Sequence, residues 1–473
     1  MHELYIIAMV AYWVAVGVAV LHVLLDNRQP AKTMAWVLVL VFVPVAGIVF
    51  YLFFGRNHRR ERLIEERSLN QLSRRSMLGF VEQQNLHLSG DFKTVVDLFV
   101  SQNFALPFTA SSIDVLTDGA AFFLRLLHDL GHAREHIHID MYIFEDDALG
   151  RLVSDVLIDK AREGVEVRLV YDDVGCWNVK NRFFERMREE GIEVYPFLPV
   201  RFPSFTSKVN YRNHRKLVVI DGRVGYIGGM NIAMRYVSDT WRDTMVRLTG
   251  SVVYGLQRAF LIDWYFVDRT LISDRKYYPA AEGEGTRGPV QIVTSSPATP
   301  FPEMMQGYIQ AIGRARRYIY LETPYLMPTE PVLFALKTAA AAGVDVRLIC
   351  PLKCDARLVE WAGRSYLREM ADAGVQVMLY REGFIHSKLM VCDDQLATCG
   401  STNIDFRSFE NNFEANAFFY DAATAQHFKQ VFLADAACSV PFGDVYGDGE
   451  GSGRGGFFVR LWESLMRLLA PLM

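Results

Sequence analysis

The chain has 473 residues, 51% apolar and only 22% charged, with 50 basic and 54 acidic side chains and a net charge of −4. That is long enough for one large or two medium domains with real cores, and too apolar for a disordered chain. The near-neutral balance gives no global basic field for nucleic acid. Six cysteines, at 176, 350, 354, 392, 399 and 438, include no Cys-x-x-Cys pair. They make neither a disulfide framework nor a zinc site, and read as reduced, mostly buried thiols facing a cytosol-like compartment.

Two apolar runs open the chain. Leu4 to Leu25 carries only His22 as a group able to take charge near neutrality, and Met34 to Phe54 carries none. Each is long enough at ~1.5 Å per residue to cross a ~30 Å hydrocarbon core. The short link Asp26-Asn27-Arg28-Gln29-Pro30 makes them a transmembrane hairpin of two helices over residues 1–55, with Pro44 tolerated inside the second. No basic segment precedes the first run, against a cleaved signal peptide. Arg56, Arg59, Arg60 and Arg62 place everything downstream on the cytoplasmic side, although Arg28 in the link and Lys32 just after it temper the bias.

Residues 56–110 read as a polar linker and helical lead-in. An alternation then begins: a helix over Ala120–His128, a strand over His136–Phe144, a helix over Leu149–Glu163 and a strand over Val165–Tyr171. That order predicts an α/β lobe around a largely buried sheet, over 111–280. His132 and His136 stand four apart beside Arg134 and Glu135, and read as a solvated pair rather than metal ligands. Glu282 to Pro289 is the strongest linker signal, and a second lobe over 281–445 repeats the first. The run Gly451 to Gly456 lacks the Lys-Ser/Thr of a phosphate loop and reads as a joint in a segment, 446–473, that ends in an amphipathic helix. There Phe457, Phe458, Leu461, Trp462, Leu465, Leu468, Leu469 and Leu472 recur at helical spacing with Arg460 and Arg467, which suits a helix lying in a bilayer interface or packed on the core.

The repeat is visible in the letters. Gly164-Val-Glu-Val-Arg-Leu-Val170 returns as Gly343-Val-Asp-Val-Arg-Leu-Ile349, and Gly191-Ile-Glu-Val-Tyr195 as Gly374-Val-Gln-Val-Met378. Each copy leads to one motif: His214, Lys216, Asp221, Gly228 and Asn231, then His386, Lys388, Asp393, Gly400 and Asn403, at identical spacing. Five matching positions, repeated at four identical offsets from the histidine, exceed the chance recurrence of short motifs.

Strand alternation puts each His and Lys on one face. With the turn centred on Asp221-Gly222, Gly229 lies opposite His214 and Asn231 diagonal to it; Ser401 and Asn403 correspond beside His386. The small residue beside each His leaves room for a phosphate. Asp221 and Asp393 complete the catalytic motif but have the opposite parity, so they are expected to hold the turn. Two lysines and two asparagines, Asn231 and Asn403, suit the oxygens of a phosphodiester, and two histidines divide the work of nucleophile and general acid/base. No carboxylate or Cys/His cluster offers a metal site, so no metal or other cofactor is expected and the lysines supply the charge.

These paired His-x-Lys-x-x-x-x-Asp motifs resemble the phospholipase D superfamily. The whole chain resembles its bacterial cardiolipin synthases, including Ala35-Trp36, Pro44, Gly47, Tyr51 to Asn57, and Thr323-Pro324-Tyr325-Leu326-Met327-Pro328. The resemblance implies two related α/β lobes sharing one active site. It implies a phosphatidyltransferase for which phosphatidylglycerol is both donor and acceptor, releasing glycerol through a phosphatidyl-histidine without metal. It implies His214 as nucleophile and His386 as acid and base. Asp243 and Glu414 match the acidic residues that orient the opposite lobe's histidine, pairing Glu414 with His214 and Asp243 with His386. The expected location is the bacterial inner membrane, multi-pass, with cytoplasmic lobes. A membrane-bound phospholipase D or nuclease using water, or a non-catalytic scaffold, are the alternatives; intact motifs disfavour a scaffold, and the hairpin and acidic charge a nuclease.

Overall fold

A computed structural model describes residues 2–25, 30–43, 45–51, 91–200, 210–281, 287–297, 299, 301–446 and 454–470. The basic run 56–62, the lead-in to residue 90, linker residues 282–286 and joint residues 447–453 lie outside them.

The first lobe is built on a seven-stranded sheet. Its spatial order is Ser112–Leu116, Met245–Thr249, Val224–Gly228, Lys216–Ile220, His136–Met141, Glu166–Asp172, Glu193–Phe197. The second lobe repeats that order with Arg287–Ser295, Glu414–Phe419, Leu396–Gly400, Leu389–Cys392, Tyr318–Glu322, Asp345–Pro351 and Gln376–Tyr380. Pro107–Ala110 and Ser439–Pro441 extend this sheet at its edges to nine strands. In each lobe three parallel strands carry helical crossovers and the motif hairpin is antiparallel.

The duplicated glycines explain why the copies fold alike. Gly164 and Gly343 (φ 95° and 89°), like Gly191 and Gly374, follow a helix and turn the chain into the next strand with positive φ, which a side chain resists. Asp118, Asp147 and Asp421 start helices by accepting a backbone N–H of the first turn.

Between the sheets lies one shared core. Helix Val253–Asp268 of the first lobe and helix Ala422–Ala437 of the second contribute Phe260, Trp264, Phe428 and Phe432 to it. Phe413 packs among first-lobe rings, 4.9 Å from Phe197 and 5.8 Å from Phe266. The lead-in joins the second lobe: Phe92, Val95 and Phe99, around helix Lys93–Asn103, share a buried cluster with Met304, Tyr308 and Phe418.

Several sequence expectations change. The proposed solvated histidine pair is split: His132 is exposed at a helix end, whereas His136 begins the fully buried strand and bonds Gln257 at 3.0 Å. The linker ends earlier, since residues 287–289 are already strand. Gly455 and Gly456 lie in the first turn of the tail helix, Arg454–Arg467, rather than in a joint. At the N-terminus, Tyr5–Leu25 is one apolar span of 21 residues with mean hydropathy 2.3. The second run is not one helix: it stops at Phe42 and resumes over Ala46–Phe50. A proline inside a helix lacks the N–H its i−4 carbonyl needs.

The tail helix packs on helix Arg357–Asp372 in an inverted sense. Glu463, Met466 and Ala470 face the protein, with Arg467 on Glu369 at 2.6 Å and Arg368 on Glu463 at 3.3 Å. Phe458, Leu461, Trp462, Leu465 and Leu468 face outward and are exposed.

Candidate active site

Each motif hairpin closes through a turn with left-handed backbone: Asp221 and Gly222 (φ 53° and 61°), and Asp393 and Asp394 (φ 55° and 56°). The loop holds three residues, because Ile220 pairs with Val224 and Cys392 with Leu396. This shifts the expected register by one, so Gly229 and Ser401 do not sit opposite the histidines. His214 and His386 lie just before the ladder, and their backbones are claimed by the other lobe.

That claim is symmetric. Asn213, preceding His214, bridges in parallel to Phe413, preceding Glu414. Ile385, preceding His386, pairs in parallel with Arg242, preceding Asp243. The His214 N–H donates to the Phe413 carbonyl at 2.9 Å and the His386 N–H to the Arg242 carbonyl at 2.6 Å. Each histidine therefore lies beside the other lobe's carboxylate. His214 Nδ1 is 3.0 and 3.1 Å from the two Glu414 oxygens, and His386 Nδ1 is 2.6 Å from Asp243 Oδ2.

The charge states follow. Burial, the largest influence, holds the imidazoles at about 4 for His214 and about 3 for His386. Burial acts to raise both carboxylates, but the histidines and lysines beside them outweigh it and keep Glu414 and Asp243 below their ordinary values. A carboxylate only accepts, so each neutral ring carries its proton on Nδ1 and keeps the Nε2 lone pair. His214 and His386 line one cavity of about 450 Å³, together with Asn231, Asn403, Tyr142 and Tyr325.

Lys216 and Lys388 are buried beneath the histidines, and each donates to the carbonyl of its own motif histidine. Burial pulls them down to about 7 and about 8. Asn231 accepts from the Ile143 N–H at 3.0 Å and donates to Tyr236, whereas Asn403 Oδ1 is buried without a partner. Among the described residues no group of three His, Cys, Asp or Glu side chains is arranged to hold a metal ion.

The small residues do something other than admit a phosphate. A Cβ on Gly229 would fall inside the Asp243 carboxylate, and the Ser401 hydroxyl donates to Glu414. Each makes room for, or binds, the carboxylate that orients the opposite histidine. Sequence reasoning also missed Arg215 and Arg242. Buried Arg215 binds Asp263, the Glu414 carbonyl at 3.1 Å and the Ser295 carbonyl at 3.0 Å. Arg242 clamps Asp435 at 2.9 and 2.6 Å across the lobes. Their only sequence signal is adjacency to His214 and Asp243.

Asp221 and Asp393, counted with the motif, are removed from the cavity, as their parity indicates. Asp221 accepts from the N–H groups of Arg134, Glu135 and His136 at 2.8–3.2 Å. Asp393 accepts from Arg316, Arg317 and Tyr318 at 2.6–2.9 Å. Asp221→Asn should cost about 1–3 kcal/mol of stability, because an amide cannot accept all of these bonds. Thermal unfolding should show that loss while turnover per folded molecule stays near wild type; a well-folded, inactive Asp221→Asn would contradict it.

Comparison with known proteins agrees with this geometry. The model of the cardiolipin synthase, phospholipase D-like domain matches residues 126–264 and 308–436, and a phospholipase D-nuclease N-terminal model matches residues 6–56. The major cardiolipin synthase of Bacillus subtilis (strain 168) is 38% identical over 470 residues, covering 96% of each chain. The chain belongs to the cardiolipin synthase family. A cardiolipin synthase of Geobacillus kaustophilus is 38% identical over 461 residues, 95% of this chain and 90% of that one. Membership makes the chain a phosphatidyltransferase with two phospholipase D-like repeats. The phosphatidylserine synthase of Haemophilus influenzae Rd KW20 shares the fold, with TM-score 0.59 at 13% identity over 80% of this chain and 98% of that one.

Proposed function

We propose that the site transfers a phosphatidyl group from one phosphatidylglycerol to the headgroup hydroxyl of another, giving cardiolipin and glycerol. The observation that carries this is the pair of neutral histidines, each oriented through Nδ1 by the opposite lobe and both lining one cavity. His214 Nε2 attacks phosphorus, and the P–O bond to glycerol breaks as His386 gives a proton to the departing oxygen; because the free ring is neutral, His386 must first take that proton up from solvent as the anionic lipid binds. The acceptor hydroxyl then returns a proton to His386, attacks phosphorus and breaks the P–N bond. Lys216, Lys388, Asn231 and Asn403 meet the non-bridging oxygens as charge builds. The assignment of His214 as nucleophile follows the family resemblance.

Purified protein given phosphatidylglycerol alone, with EDTA, is expected to form cardiolipin and glycerol in equal amounts. Phosphatidic acid as sole product would mean a hydrolase, no turnover a scaffold, and loss with EDTA alone a metal requirement.

The lobes are proposed to lie on the cytoplasmic face of the bacterial cell membrane, with the outward face of the tail helix seated in the leaflet. Helix Arg357–Asp372, on which the tail packs, also supplies Val359 to the cavity wall, so seating the tail brings the mouth to the lipid. Trp462→Glu with Leu465→Glu should leave the fold intact and lower activity on vesicles more than on detergent-dispersed lipid. Equal losses in both assays would place the tail's role in the core.

A further inference from the structure

The second apolar run turns back before it has crossed the thickness spanned by the first. Helix Pro30–Phe42 has 13 residues, about 20 Å at ~1.5 Å per residue and short of a ~30 Å hydrocarbon core. It runs back along the first helix and reaches the level of Tyr12, whose hydroxyl donates to the Leu40 carbonyl at 3.4 Å. There the backbone reverses at Val45, which has φ 61° and ψ −56°, unusual for a β-branched residue.

Three contacts fix the direction after the reversal. A straight helix would hold Trp36 and Tyr51 roughly 22 Å apart, yet their ring centroids are 5.5 Å apart. Gly47 passes so close to Val39 that a Cβ would lie 2.5 Å from its carbonyl oxygen. Tyr51 is buried in one cluster with Val16, Val23 and Leu40. The Val43 N–H bonds Val39 at 3.0 Å and the Gly47 N–H bonds Val43 at 2.8 Å, so these donors stay paired inside the segment, as an apolar medium demands. Met34, Leu38, Phe42, Val45 and Phe50 are exposed and apolar, suited to lipid.

We propose that the chain crosses the bilayer once, through Tyr5–Leu25, and that Pro30–Tyr51 is a re-entrant loop entering and leaving on the side of the catalytic lobes. Charge supports this independently. Two full crossings would put Arg28 and Lys32 on the face opposite Arg56, Arg59, Arg60 and Arg62. A re-entrant loop puts all six on one face, which is the pattern of the positive-inside rule.

The test uses full-length protein with Cys354 and Cys438, the two partly buried thiols, replaced by Ala, and single cysteines at Glu3, Asn27 or Asn57. Right-side-out and inverted membrane vesicles are treated with a membrane-impermeant maleimide, and retained cardiolipin formation checks folding. Asn27→Cys and Asn57→Cys are expected to label in the same vesicle orientation, and Glu3→Cys in the other. Labelling of Glu3→Cys together with Asn57→Cys, with Asn27→Cys opposite, would establish two crossings and overturn the proposal. A second measurement leaves the apolar segment untouched: protease is added to both vesicle preparations of a protein with an N-terminal epitope. The epitope should be cleaved in the orientation that protects the lobes; cleavage of both in one orientation overturns the proposal equally.

Discussion

His214→Ala is expected to lower cardiolipin formation on the order of 10⁴-fold or more, since it removes the attacking group rather than a supporting contact. The two histidines should be separable by adduct trapping. His386→Ala retains Nε2 of His214 and should accumulate a covalent phosphatidyl adduct from a donor whose leaving group needs no proton. His214→Ala should accumulate none. An adduct on His386 in the His214→Ala protein would exchange the roles, and would do so without disturbing the fold, because both rings lie at the cavity wall.

Glu414→Gln and Asp243→Asn form the second large effect. Each amide is nearly the size of the carboxylate it replaces, so packing against Ser401 or Gly229 survives. An amide can present N–H to the imidazole, and that stabilises the tautomer with its proton on Nε2. The lone pair then points at the wrong partner. A loss of about 10³–10⁴-fold in kcat with little change in KM is expected, the size seen when a histidine-orienting carboxylate becomes an amide. Glu414→Gln should abolish adduct formation on His214, whereas Asp243→Asn should spare it with the activated donor. Equal effects of both on adduct formation would show that the carboxylates act on the cavity as a whole.

The paired motif histidines were legible because the chain carries the motif twice. Identical offsets from His214 to Asn231 and from His386 to Asn403 reported a duplicated hairpin, and the strands downstream of Gly164 and Gly343 followed. What one lobe does to the other was less legible. The pairing of Glu414 with His214 depends on a parallel bridge between Asn213 and Phe413, residues 200 positions apart, for which periodicity has no signal; the family resemblance alone supplied it. The one-residue register error arose because Asp-Gly fixes the left-handed turn but not the extra loop residue, Arg223. His136 was placed at the start of its strand, but its burial was missed because the charged Arg134 and Glu135 beside it end just where the buried strand begins. The tail was legible as amphipathic, but which face meets the protein depends on Glu369 and Arg368 on another helix.

The crossed carboxylates carry a consequence for ancestry. Neither lobe holds a complete histidine–carboxylate pair, so a single-lobe forebear could have worked only as a twofold-symmetric dimer in which every copy lent its acid to its neighbour. Joining two copies in one chain fixed their stoichiometry and released them from symmetry. The halves have since drifted apart, one keeping aspartate against a bare glycine at 229 and the other glutamate against a serine at 401. Under the proposed mechanism each histidine's surroundings can then be tuned separately, one for attack and one for proton transfer, whereas identical protomers must give both the same surroundings.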